Sequence, residues 1–89
     1  MQYYNQNKGT YEDLELTEDD LSVKAEVERI FLKRGVLNKD ILSQRVQRYY
    51  YDKVGISSNR LWAVIDHYCE EVINDHIGKS IETVFGRMN

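Results

Sequence analysis

The sequence predicts a small all-α domain: a three-helix bundle with a disordered N-terminal arm and a short C-terminal helix or extended tail. Three observations carry that prediction. Apolar residues recur at helical spacing through most of residues 18–77. Capping residues and glycine stops punctuate those runs at Thr17, Gly35, Asn38, Gly55 and Gly78. Residues 1–16 are polar and follow neither a period of 2 nor one of 3.6. The expected organisation is an arm over 1–16 and one helical domain over 17–89. A chain of 89 residues buries a modest fraction of its surface, so it stands alone only if its helices pack well, and an oligomer is an open alternative.

The arm carries Tyr3, Tyr4 and Tyr11. These either anchor it on a partner, folding as it binds, or stay loose or solvated on this domain. The first helix, 18–34, starts after a Thr17 cap with Glu18, Asp19 and Asp20 where the macrodipole favours acids. Val23, Val27, Ile30 and Phe31 form its buried stripe, leaving Lys24, Glu26, Glu28, Arg29 and Lys33 mostly outward. Lys33 and Arg34 sit in the last turn, and Gly35 supplies a left-handed cap.

Asn38 caps the second helix, 38–54, whose inner stripe is Leu42, Val46, Tyr49, Tyr50 and Val54. Gly55 followed by Ile56 fits a Schellman ending. The third helix, 58–77, is apolar around most of its circumference, from Leu61 and Trp62 to Ile77, with a narrow stripe of Asp66, Glu70, Glu71, Asn74 and Asp75. Such a helix needs cover on more than one side, from both other helices or from a second subunit, and is expected to form the centre of the core. Gly78 is expected to end it. Ile81, Val84 and Phe85 then suggest a short helix over 80–86, with Phe85 docked on the core.

The formal charge of −3 conceals a division along the chain. Residues 1–35 carry −3, residues 36–60 carry +3 and residues 61–89 carry −3. No apolar run approaches the roughly 20 residues of a membrane span, and the N-terminus lacks a signal-peptide core, so a cytoplasmic location and no membrane partner are expected. One cysteine supports neither an internal disulfide nor a cysteine-rich metal site.

Candidate chemistry is sparse. His67, Glu71 and Asp75 share a helix face but lack the second histidine of a metal-binding helix, so they are read as a solvated acidic stripe. Cys69 and His76 lie two turns apart, too far for nucleophile activation. No phosphate loop or nucleophile elbow is present, so an enzyme, a metal and a cofactor are not expected. The basic second helix offers Lys39, Arg45, Arg48 and Lys53, with Arg60 beyond it and Gln44, Gln47 and Tyr51 beside them, either as a phosphate- and base-contacting surface or as a solvated face balanced by the acidic helices.

Asn38-Lys39-Asp40-Ile41-Leu42 opening a helix, Gly55-Ile56-Ser57 turning it and a helix ending at Gly78 together resemble the helical half of the HU/IHF family. The resemblance spans about half the chain and implies a helical hairpin. The first helix is about a turn longer than the family's, and the β-arms that enter the minor groove would have no room after Gly78, so the family's function is not carried over.

The leading expectation is a small non-enzymatic regulatory or adaptor protein, of the kind phages and mobile elements encode, which binds another protein. Arg45, Arg48, Tyr49, Tyr51 and Trp62 are its expected contacts, since Arg, Tyr and Trp dominate hot spots. A dimeric DNA-binding regulator using helix 38–54 and a homo-oligomeric structural component are the alternatives.

Overall fold

The computed structural model describes residues 2–5, 8–35 and 37–87, the last ten as backbone only. The chain is mostly helical, with three helices and a small two-stranded sheet. In order come β1 (Gln2–Asn5), β2 (Thr10–Asp13), a 3₁₀ turn (Glu18–Asp20), α1 (Leu21–Arg34), α2 (Lys39–Tyr49), a π turn (Tyr50–Val54) and α3 (Asn59–Arg87).

The helical core follows the sequence pattern closely. Val23, Val27, Ile30 and Phe31 of α1 are all buried, as their spacing predicts. They meet Leu42 and Val46 of α2 and Val64, Ile65, Tyr68, Cys69, Val72 and Ile73 of α3, with Tyr50 closing one end. Asn38 Oδ1 accepts the Ile41 N–H at 3.1 Å, the expected cap of α2. Gly35 takes φ +65° and donates its N–H to Phe31 O at 2.7 Å, the left-handed ending expected for α1.

Four expectations are corrected. The first is the disordered arm: β1 and β2 form an antiparallel hairpin in the register Gln2↔Asp13, Tyr3↔Glu12, Tyr4↔Tyr11 and Asn5↔Thr10. Its turn depends on Gly9, which at φ +67° donates to Asn5 O at 2.8 Å. Glu12 ties the strands together, accepting from Tyr3 Oη (3.3 Å) and Asn5 Nδ2 (3.1 Å) and pairing with Lys8 (3.2 Å). An isolated two-stranded hairpin is marginal in water, and this one is held against α3, where Asn59 Nδ2 donates to Tyr4 O at 3.1 Å. Leu14, just past β2, packs on the core.

The second correction is the all-α assignment itself, which the hairpin narrows to a mostly helical fold. The third concerns the end of α2. Gly55 N–H and Ile56 N–H both donate to Tyr50 O, at 2.7 and 3.2 Å, so the helix ends in a widened π turn rather than a Schellman motif. The extra residue in that turn breaks the register of the inner stripe, and Val54 is exposed instead of buried.

Fourth, α3 does not stop at Gly78. Its backbone continues helically to Arg87, in place of a separate short helix or an extended tail. A glycine inside a helix costs only about 1 kcal/mol, and no proline follows to enforce a break. The Phe85 side chain, expected to dock on the core, lies outside the described residues.

Candidate functional site

The C-terminal half of α1 lies beside α2, and between them runs a cleft of about 750 Å³. Arg29, Ile30, Lys33 and Arg34 line it from α1, Ile41, Gln44, Arg45, Arg48 and Tyr49 from α2, and Asp52 and Lys53 from the π turn. The helical period explains the gathering. On α1, Arg29 and Lys33 flank the buried Ile30, so their stems rise from the edge of the stripe that meets α2. On α2, Gln44, Arg45 and Arg48 are exposed residues on the side away from Leu42 and Val46.

Six bases and one acid line this cleft. Its +5 leaves −8 on the rest of a chain whose formal charge is −3, so the cleft is a local positive field on an acidic protein. Two of the cations are engaged: Arg29 Nε pairs with Glu26 Oε2 at 2.8 Å, and Arg48 Nε with Asp52 Oδ2 at 3.5 Å. Lys33, Arg34, Arg45 and Lys53 make no ion pair among the described residues. Arg29 also lies over the Tyr49 ring, 5.1 Å from its centroid, and Tyr49 meets Tyr50 edge-on at 5.4 Å. The cleft thus combines aromatic and aliphatic lining in Tyr49, Ile30 and Ile41 with six cationic side chains.

The five expected contact residues separate. Arg45, Arg48 and Tyr49 come together in the cleft. Tyr51 is two-thirds exposed and is not among its lining residues, and Trp62 is half-buried against the core near the start of α3. The α1 bases were missed because the acids around them give residues 1–35 a negative total. The legible signal was Lys33-Arg34 closing one helix a few residues before a basic helix opens.

Arg60, counted with the basic surface, has a different role. Its Nη1 and Nη2 clamp the two Asp20 carboxylate oxygens at 2.9 and 2.7 Å, and Nη2 also reaches Glu15 O at 3.0 Å. Thr17 N–H adds a bond to Asp20 at 2.8 Å. The Arg60 guanidinium holds Asp20 well below the ordinary carboxylate range, at about 2, against the opposing effect of burial. This knot fastens the segment before α1 to the first turn of α3.

The reactive cluster on α3 is dispersed. His67 lies 3.8 Å from Glu71, which is also 3.8 Å from Lys24, and the His76 ring meets Phe31 edge-on. Among the described residues no group of three His, Cys, Asp or Glu side chains is placed to hold a metal. Cys69 is fully buried, and burial pushes its thiol up to about 12, which leaves it protonated and unreactive at neutral pH. Beside it Ser43 donates to Asp66 Oδ1 at 2.5 Å and accepts from Gln47 Nε2 at 3.0 Å, a polar tie between α2 and α3. No helix among the described residues is long and apolar enough to cross a membrane.

No protein-family model matches the chain, and neither a curated protein nor a solved structure gives a significant match.

Proposed function

We propose that this protein is a small non-enzymatic binding module, a regulatory or adaptor protein whose α1/α2 cleft holds an acidic segment of a partner protein. One observation carries the reading: four cations that make no ion pair among the described residues, Lys33, Arg34, Arg45 and Lys53, line one cleft with Tyr49, Ile30 and Ile41. Arginine and tyrosine beside apolar side chains make the usual composition of a binding hot spot. Opposite charge on the occupant would speed encounter and fix its register.

The same cations suit phosphates, but the geometry favours a peptide. A helix that reads duplex DNA inserts its contact face into the major groove. Here Gln44, Arg45 and Arg48 instead line a cleft shared with α1, whose apolar lining residues Ile30, Ile41 and Tyr49 suit the side chains of a peptide.

Affinity capture from a native lysate, with and without nuclease, tests this. The expected result is a protein retained after nuclease and released by salt, as the screening length falls from about 10 Å at 0.1 M to about 3 Å at 1 M. Capture that disappears on nuclease treatment would assign the cleft to nucleic acid.

A further inference from the structure

We infer that in the free protein the cleft is occupied by the acidic segment of a second copy of this chain. The inference rests on the cleft being a binding site, and it names the first occupant that any partner would have to displace.

The complement to the cleft lies on the same molecule. Residues 12–20 carry six acids and no base. Two of the acids are used internally, Glu12 in the hairpin and Asp20 with Arg60. The carboxylates of the other four, Asp13, Glu15, Glu18 and Asp19, are exposed and make no ion pair among the described residues. Four exposed carboxylates of one segment therefore match four cations of the cleft, none of the eight in an ion pair among the described residues.

The segment cannot turn into its own cleft. Arg60 pins it through Glu15 O and Asp20, and β2 fixes its other end. From Asp20 to Arg29, where the cleft begins, the chain climbs about 13 Å of helix in a fixed direction. The contact is therefore available only between molecules. Two copies related by a two-fold axis would each place their acids in the other's cleft, so that one docking event satisfies both surfaces. Pinning also means that little conformational freedom is lost when the segment docks.

Sedimentation equilibrium on the full chain tests the inference, with circular dichroism as the check that each variant is folded. At about 10 mM ionic strength, where the screening length is roughly 30 Å, the mass should rise to that of a dimer, returning to the monomer at about 1 M. Arg45→Glu with Arg48→Glu, or Asp13→Lys with Glu18→Lys and Asp19→Lys, should each give a monomer. An equimolar mixture of the two variants, which restores one of the two contacts, should form more dimer than either variant alone. A monomeric wild type at low salt overturns the inference, as does a mixture no heavier than its components or a dimer that survives either reversal. If the wild type is monomeric while the cleft variant still loses partner capture, self-docking fails and the binding site stands. If the dimer forms as described but partner capture ignores the cleft variant, self-docking stands and the proposed function fails.

Discussion

An Arg60→Met variant is expected to be about 2–3 kcal/mol less stable than the wild type and to melt roughly 10–20 °C lower. Methionine keeps much of the side-chain volume but removes three hydrogen bonds, two to Asp20 and one to Glu15 O. Asp20 is only 5% exposed, so its carboxylate would be left with Thr17 as its remaining support. Breaking a fully buried pair costs about 3–5 kcal/mol, and the lower figure here reflects an Arg60 side chain that is 38% exposed. Adding Asp20→Asn to Arg60→Met should recover part of the loss, because the orphaned charge is gone. A double-mutant cycle followed by thermal melting measures that coupling directly.

The same pair sets an acid limb. Asp20 has its folded value depressed from 3.8 to about 2, so its contribution is fully present above about pH 4 and is lost as the pH falls from there through about 2. A shift of that size corresponds to roughly 2 kcal/mol at neutral pH. Since the Arg60 hydrogen bond is the largest cause, the stabilities of wild type and Arg60→Met should converge towards pH 2. Parallel curves down to that pH would mean that the charge on Asp20 is not what couples the pair to folding.

Ile65→Ala is expected to cost about 3–4 kcal/mol, a large share of the roughly 5–15 kcal/mol that stabilises a typical domain. Ile65 is fully buried on α3, in a core built from all three helices, and alanine would leave a cavity that no flexible neighbour fills cheaply. Leu32→Ala is the matched control. Leu32 is 78% exposed on α1 and should change stability by no more than about 0.5 kcal/mol. Equal losses at the two positions in denaturant titrations would contradict the packing described here.

How much of this was legible in the sequence depended on whether a residue's partner lies close along the chain. The α1 stripe and the core positions of α2 and α3 were readable because a period of 3.6 is a local signal. The Asn38 cap and the Gly35 stop were readable for the same reason. The hairpin was not, because its inward positions, Tyr3, Asn5 and Glu12, are polar enough to hide any alternation. Its order comes from hydrogen bonds to Glu12 and from docking on α3, neither of which leaves a periodic trace. Gly78 misled because a glycine stop and a tolerated glycine look alike in one sequence.

The candidate site was half legible. Arg45, Arg48 and Tyr49 announce themselves on a basic helix, but Arg29, Lys33 and Arg34 join them only through the packing of α1 beside α2. Arg60 carried the same charge signal and proved structural, since its partner Asp20 lies 40 residues earlier. Ser43 gave no signal and Asp66 was read as part of a narrow polar stripe on the third helix, yet they meet across the helix pair.

Capture with two folded variants side by side decides whether the α1/α2 cleft is the binding surface. Arg45→Glu with Arg48→Glu reverses two lining residues of the cleft, whereas Tyr51→Ala removes a more prominent aromatic that lies outside it. The cleft variant is expected to lose its nuclease-resistant partner while Tyr51→Ala retains it at the wild-type level. Retention by the cleft variant, or loss only with Tyr51→Ala, would contradict it.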